Sequence, residues 1–487
     1  MKTQLASGWL KFGGECRVAA CAVAAAWAFG ASALADTASE LLERGLYAEE
    51  TKGDIDGAIQ FYQQALEQAK AAQSSGAQAQ FHLGVCLLKK NQRVEAHAAF
   101  EKLVKDYPDQ KDLIARAHQL LPGGPIFLPP PWEDGELMLL EVKLASGFKV
   151  GVSAYLANLI DYNGAKAWRV GSRSAIGAQG LSQVETEPET FAPFHSHWQH
   201  DLLGDVEAVY KDGQVEFTTA GKPGTQKLEV NRTVYDNEEV IPGMRRLPLA
   251  PGYKTSMAIV SSLGGRVVIP LDIEVTGTET VQVPAGKFDC YKTELSIHQT
   301  FWYSTNASHL LVKFEVGGAV AELAEVRQRK PGERLNYNQA GAGVSFATPP
   351  DWLYYLPEGD NEFKVHVMLL DTETTAYANV NVRALDSLKP EVSASARAFA
   401  ENRAAELTKM AKDFRLRPEG FLDRSLNGRA AVTFIGDYLE GNRKMVVQAA
   451  LTISDANAGA VFVFCQEAQF ERAKPAFDAL LSSFLMP

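Results

Sequence analysis

Three patterns of apolar and polar positions follow one another along the chain. From about Ala38 to Leu121, Pro and Gly are rare, and Ala, Leu, Glu, Lys and Gln dominate, which favours helix. LPGGPIFLPPPWEDGE (121–136) is proline-rich and cannot continue a helix. Residues 136–328 then show short alternating runs such as LMLLEVKLA, VEAVYKDGQVEFTTA and LLVKFEVGGAVAELAEV, rich in β-branched and aromatic residues. The tight-turn signals KDGQ and VGGA break these runs, so the segment predicts an antiparallel sheet of about a dozen strands. RQRKPGERLNYNQAGAG (327–343) is polar and reads as a linker. Beyond it, strands such as FKVHVMLLD, KMVVQAALTIS and AGAVFVFCQ alternate with two helical stretches. SASARAFAENRAAELTKMAKDF places Phe399, Leu407, Met410 and Phe414 near one face. AKPAFDALLSSFL places Phe477, Leu480, Leu481 and Phe484 at helical spacing.

These patterns predict helical repeats over 36–121, a proline-rich linker over 122–135, an antiparallel β domain over 136–328, a linker over 329–343 and an α+β domain over 344–487. Residues 1–35 stand apart. Lys2, Lys11 and Arg17 precede the apolar run VAACAVAAAWAFG (18–30), which is too short to span a bilayer, and small Ala33 and Ala35 follow. This is the pattern of a secretory signal peptide cut before Asp36, which places the mature chain in an exported compartment, periplasmic or extracellular. VAAC (18–21) resembles a lipoprotein cleavage site, but the apolar run follows Cys21 instead of preceding it. No later segment reaches the length of a transmembrane helix.

The formal charge is −11, and losing 1–35 makes it more negative. An acidic chain with no basic stripe argues against nucleic acid as a partner. Cys86, Cys290 and Cys465 are far apart, odd in number and flanked by apolar residues, so each reads as a core residue. Whether any two of them pair stays open at this level.

In FHLGVCLLKKNQRVEAHAAFEKLVKDYP, Leu83–Gly84, Ala96, Phe100 and Pro108 follow one another at set spacings. Small residues let two helices approach, the aromatic plugs the gap, and the proline stops the second helix. This resembles the tetratricopeptide repeat. The preceding stretch resembles a second copy, with Ala58, Tyr62 and Ala65 in the equivalent places and Gly45 one residue out of register. QKDLIARAHQLL (110–121) reads as a closing helix. DIDG (54–57) lacks the later carboxylates of a calcium loop and reads as a turn between helices. The resemblance implies binding of a protein partner through 36–121.

ETVQVPAGKFDCYKTELSIHQTFWYSTNASHLLVKFE (279–315) and SHWQHDLLGDVEAVYKDGQVEF are similar to strands of a bacterial exported domain family of unknown function. That similarity, over roughly 130–328, implies a large curved sheet or half-barrel and carries no activity with it. FATPPDWLYY, the long helix after it and AFDALLSSF resemble the PsbP-like α/β fold over about 341–487, in which an antiparallel sheet is covered by helices. Many members of that fold family are non-catalytic accessory factors. EGDNE (358–362) reads as a solvated acidic turn.

The chemistry most open to question lies in PFHSHWQHD (193–201). On a strand, His195, His197, Gln199 and Asp201 share one face, while Ser196, Trp198 and His200 share the other. Asp201 stands about 13 Å from His197 at about 3.3 Å per residue. The strand therefore offers a zinc or other divalent ion two ligands, His195 and His197, and a third would come from elsewhere, with His298 and His309 as candidates by type. The competing expectation is an ordinary hydrated sheet face. GxSxG, HExxH, P-loop and dinucleotide-binding signatures do not occur. Three functions remain: an exported non-catalytic envelope protein that binds partners through its helical repeats; a carrier of a hydrophobic ligand in the curved sheet, near Trp168, Trp198, Phe301, Trp302 and Tyr303; and a metal-dependent hydrolase using His195 and His197.

Overall fold

The computed structural model describes residues 37–487 except 70–72, 91, 121–124, 126, 202–203, 231–232, 263–264, 359–361 and 487. The signal peptide expected over 1–35, and most of the acidic turn at 358–362, lie outside the described residues. The chain divides into two units between Ala99 and Phe100.

In the first unit, α1 (Ala38–Leu46) starts at a capping box formed by Thr37 and Glu40. The chain then widens into one π-helical turn, Tyr47–Lys52, closed by Gly53 at φ +67°. Asp54 caps α2 (Ile55–Gln68) by accepting the Gly57 N–H at 3.0 Å, so the carboxylate of DIDG serves a helix start. α3 (Gln73–Lys89) packs on α2, and α4 (Arg93–Asp106) follows. The small residues predicted from the repeat spacing, Ala58 and Ala65, are fully buried around Tyr62. Gly45 belongs to the same contact: a Cβ there would stand 2.3 Å from the Tyr62 ring. The π turn aims Glu49 inward. It accepts from Tyr62 Oη at 2.7 Å and Lys89 Nζ at 2.7 Å, and pairs with His82 Nδ1 at 2.9 Å. Burial alone would raise this carboxyl, but the bonds from His82, Lys89 and Tyr62 outweigh it and hold the group down to about 2.

In the second unit, α5 (Lys111–Leu120) precedes a sheet of 15 strands. The strands are β1 (Glu136–Leu144), β2 (Lys149–Tyr162), β3 (Ala165–Ile176), β4 (Gln179–Thr186), β5 (Pro193–His200), β6 (Gly204–Lys211), β7 (Gln214–Thr219), β8 (Thr225–Glu229), β9 (Tyr235–Asp236), β10 (Lys254–Ser261), β11 (Val267–Val283), β12 (Gly286–Leu295), β13 (Gln299–Ser304), β14 (Leu311–Val316) and β15 (Ala319–Gln328). The spatial order runs from β8 back to β1, then through β15 back to β9. All pairs are antiparallel except β9 with β10. The β6–β7 turn carries Asp212 and Gly213 at φ 52° and 76°, the paired left-handed residues that the KDGQ signal requires.

The sheet stays open but curls. Side chains from one end (Val206, Ala208, Phe217) and from the other (Ala258, Val260) share one apolar cluster. The concave side is occupied by the chain itself. A short helix, α6 (Val240–Arg245), and the residues after it place Val240, Met244, Leu247 and Leu249 in one core with Trp168, Phe301, Trp302 and Tyr303. Two lysines cover Trp302, with Lys313 Nζ 4.6 Å and Lys292 Nζ 5.9 Å from its ring centre.

The α+β domain follows without a loose connection. The segment read as a linker over 329–343 contains β16 (Asn336–Gln339), which pairs with β17 (Val344–Ala347). Its polar residues face outward while Tyr337 enters the core, which the polar composition hid. An eight-stranded sheet is built from β18 (Trp352–Tyr355), β19 (Val365–Asp371), β20 (Tyr377–Ala384), β21 (Lys412–Leu416), β22 (Leu422–Leu426), β23 (Arg429–Glu440), β24 (Arg443–Ile453) and β25 (Asn457–Gln466). After the short α7 (Pro390–Ser393), α8 (Ala396–Met410) covers one face, and α9 (Phe470–Ser483) covers the other. The long helix stops earlier than predicted. Met410 is 85% exposed, and Phe414 reaches the core from β21, against Gly436. Cys86, Cys290 and Cys465 are free and buried.

Candidate functional site: the histidine strand and the interface it joins

β5 pairs with β4 and β6, and that register decides what its histidines meet. His195 lies opposite Glu185, and its Nδ1 stands 2.8 Å from Glu185 Oε2. Arg169 Nε donates to the other oxygen of Glu185 at 2.7 Å. Burial raises the Glu185 carboxyl, but the His195 and Arg169 bonds more than offset it, and the group sits below its ordinary value. His197 Nε2 lies 2.9 Å from Asp205 Oδ1 on β6, a bond that raises the imidazole above its ordinary value against the effect of burial. Gln199 Nε2 donates to the second Asp205 oxygen at 3.2 Å. The two histidines thus have separate carboxylate partners. His309 lies elsewhere, with Nδ1 2.9 Å from the Arg245 carbonyl oxygen, and His298 occupies the turn before β13. Among the described residues, no group of three or more His, Cys, Asp or Glu side chains is arranged to hold a metal ion.

The face expected to be hydrated is covered at one end. Gln199 is buried; its Oε1 accepts from Thr375 Oγ1 at 3.2 Å and from Gln469 Nε2 at 3.2 Å, both in the α+β domain. Asp201 accepts from Arg443 of β24 and from the Gln179 N–H at 2.8 Å. On the opposite face, the Trp198 and His200 rings stack at 5.6 Å, both half-buried, and burial lowers His200.

The same contact continues across β1–β4. The apolar run LMLL of β1 is buried on both sides. Met138 and Leu140 enter the interior of the curved sheet, while Leu137 and Leu139 meet Leu353 and Leu370 of the α+β domain together with Val152 and Ala154 of β2. A continuous apolar run, where a half-wet strand would alternate, is the sequence signature of a strand covered twice. At the centre lies Arg173 of β3, wholly buried. Its Nε donates to the Asp371 carbonyl oxygen at 2.9 Å, and Nη2 donates to the Ala376 carbonyl oxygen at 3.2 Å and to Gln179 Oε1 at 2.9 Å. Nη1 serves the Ser174 and Gly180 carbonyl oxygens at 2.6 and 3.1 Å. Burial lowers the guanidinium to about 10, so it remains charged at neutral pH.

The residues that sequence reasoning missed are therefore Glu185, Asp205, Arg173 and Arg443. The alternation of β4 against β5 hints at Glu185 only once the register is known. Nothing local marks Arg173 or Arg443 as interface residues, since the partners they reach across it, Asp371 and Asp201, lie 198 and 242 residues away in the chain.

The cavity between α6 and the sheet, lined by Trp132, Met138, Tyr155, Pro242 and Arg245, has a volume of about 20 Å³. That is room for one water molecule and not for an acyl chain.

The class of protein defined by this architecture is a multidomain one: helical repeats, a large open curved antiparallel sheet, and a helix-covered α+β domain docked on that sheet. Residues 140–324 match the family model described as a protein of unknown function (DUF3108), and residues 78–109 match that of a tetratricopeptide repeat. No curated protein matches the chain significantly. Among solved structures, the chain is similar to cyanobacterial PsbP (CyanoP) from Synechocystis sp. PCC 6803, with 17% identity, 32% of this chain and 95% of that one covered, and a TM-score of 0.27. It is similar to LpqN, involved in cell envelope biogenesis of Mycobacterium tuberculosis, with 13% identity, 32% and 91% covered, and a TM-score of 0.25. It is also similar to the Pseudomonas aeruginosa MucA/MucB complex, with 10% identity, 73% and 95% covered, and a TM-score of 0.17. Among the described residues, no helix is long and apolar enough to cross a membrane.

Proposed function

We propose that the chain is an exported, non-catalytic protein of the bacterial cell envelope that binds a protein partner through its helical repeats. The observation that carries this reading is the repeat segment, where the family match at 78–109 falls on α3 and α4 and the helices before it, α1 and α2, pack through Gly45, Ala58, Tyr62 and Ala65. Packing of this kind uses one side of each helix and leaves the other for a partner. The polar residues of PFHSHWQHD support the reading from the other side. They are spent on pairing within the sheet and on holding the α+β domain, which makes that strand part of the scaffold. Export rests on the signal-like residues 1–35.

The test is site-specific photo-crosslinking in the native envelope. A crosslinker replaces exposed Gln63 or Glu67 on α2, with exposed Lys227 on β8 as the control. A discrete adduct from the α2 positions, absent from Lys227, is expected. No adduct from α2, or the same adducts from β8, would remove the repeats as the binding element.

A further inference from the structure

The turn Asp236–Glu239 sits where the two ends of the curled sheet approach each other. It begins in β9, which pairs with β10 at one end. Asp236 Oδ2 accepts from Tyr210 Oη of β6, at the other end, at 2.6 Å, and from Ser262 Oγ, just after β10, at 3.1 Å. Glu238 Oε2 accepts from Ser182 Oγ of β4 at 2.6 Å. Four residues thus bridge β4 and β6 on one side to β10 on the other, alongside the apolar contacts of Val206, Ala208 and Phe217 with Ala258 and Val260.

Within this turn, Asp236 is 1% exposed and Glu239 is 0% exposed. Nearby donors go to Asp236, which also takes the Glu238 N–H at 3.0 Å. Glu239 Oε2 accepts the Asp236 N–H at 2.5 Å, and its Oε1 has no partner among the described residues. A carboxyl so placed is stable as the acid and costly as the anion. We infer that the Asp236–Glu239 turn is a proton-held latch: with Glu239 neutral it closes the seam of the curled sheet, and a negative charge on Glu239 beside Asp236 opens it.

The groups facing Glu239 support this. Asp236 and Glu238 belong to its own turn, Tyr210 faces it from β6, and Tyr235 from β9. Arg246, after α6, is the cation that acts on it; its Nε and Nη2 are committed to the Leu128 and Glu189 carbonyl oxygens at 2.7 and 2.8 Å, and its buried Nη1 makes no hydrogen bond among the described residues, to Glu239 or to any other group. Burial first, and Asp236 second, push Glu239 well above its ordinary 4.5, and burial also raises Glu238. Because the closed-state value is the raised one, the latch is fully closed below about 4.5 and weakens as pH rises toward and through the raised value. Between the two, the closed-to-open ratio falls about tenfold per pH unit.

The test is amide hydrogen exchange of the full chain, corrected for intrinsic exchange rates, between about pH 5 and 9, reading peptides of β6, β7 and β10. Protection there is expected to fall at least tenfold as pH rises, while peptides of β24 and β25 stay constant. Glu239→Gln is expected to lose most of this fall, keeping only the smaller share that the raised Glu238 carboxyl contributes. Tyr210→Phe, which removes one bridge and leaves Glu239 in place, is expected to loosen the seam while retaining the pH dependence. Seam protection that does not change with pH in the unaltered chain, or a pH dependence that survives undiminished in Glu239→Gln, overturns the latch. Should Glu239→Gln fail to fold, the unaltered chain and Tyr210→Phe still decide it, since a flat profile in both is fatal to the idea.

Discussion

Replacing Arg173 by alanine should uncouple the α+β domain from the curved sheet. Beyond its neighbour Ser174, the guanidinium supplies donors to four residues at the interface: the carbonyl oxygens of Asp371, Ala376 and Gly180 and the side-chain oxygen of Gln179. A buried acceptor stripped of its donor costs about 1–3 kcal/mol, and removing the cation also takes a counter-charge from the Asp371 carboxylate. Against this stands the relief of no longer burying a charge. Breaking a buried, hydrogen-bonded charged group in this way costs about 3–5 kcal/mol on balance. The assay is urea unfolding of the full chain, followed by tryptophan fluorescence. With a slope of about 3 kcal/mol per molar urea or more for a unit of this size, the midpoint should fall by about 1 M. The transition should also split, because β1–β3 and β18–β20 keep only the apolar contact of Leu137 and Leu139 with Leu353 and Leu370 and the polar contacts of Gln199 and Asp201 to hold them together. A shift smaller than about 0.3 M, with a single transition kept, would show that the guanidinium is as well hydrated in the unfolded chain as it is satisfied here, and would refute the reasoning.

Gly45→Ala should destabilise the helical unit by about 1–3 kcal/mol, since the added methyl would meet the buried Tyr62 ring, and thermal melting by circular dichroism at 222 nm reads the loss; an unchanged melt would mean the ring has room to move. Glu49, held down to about 2, stabilises the helical unit above its ordinary 4.5 and loses that contribution as pH falls through about 2; Glu49→Gln should therefore flatten the acid limb of the helical signal, an effect of about 1–2 kcal/mol once solvent screening is allowed for. In NMR titration, His197 should protonate above 6.5 and His200 below it, and the reverse order would contradict the pairing with Asp205.

Much of the fold is legible in the sequence because it depends on local periodicity. The repeat spacing put Ala58, Tyr62 and Ala65 together, and the KDGQ turn marked the β6–β7 hairpin. What failed was any inference that depended on a distant partner. Met410 and Phe414 follow the helical pattern, yet the chain leaves the helix between them because β21 must pair with β23. PFHSHWQHD reads as a strand with a wet face because Gln199 and Asp201 are polar, and their burial follows from Thr375, Gln469 and Arg443, which no local signal brings near. Gly45, one residue out of register with the repeat pattern, nevertheless lies against the Tyr62 ring, a contact that the spacing alone did not place.

The three buried cysteines carry a consequence of their own. Cys86 lies in the helical core, Cys290 in the curved sheet and Cys465 in the α+β domain, and burial pushes each thiol up to about 12. Thiolate, the form that oxidises and exchanges, is scarce at all three while the chain is folded. In an oxidising compartment each region therefore protects its sulfur only by folding, and the slowest region to fold leaves its thiol open longest to cross-linking with other chains. The rate at which each cysteine reacts with a thiol reagent is then a clock for its own region: three chemical readouts of local opening, supplied by the native sequence without a label.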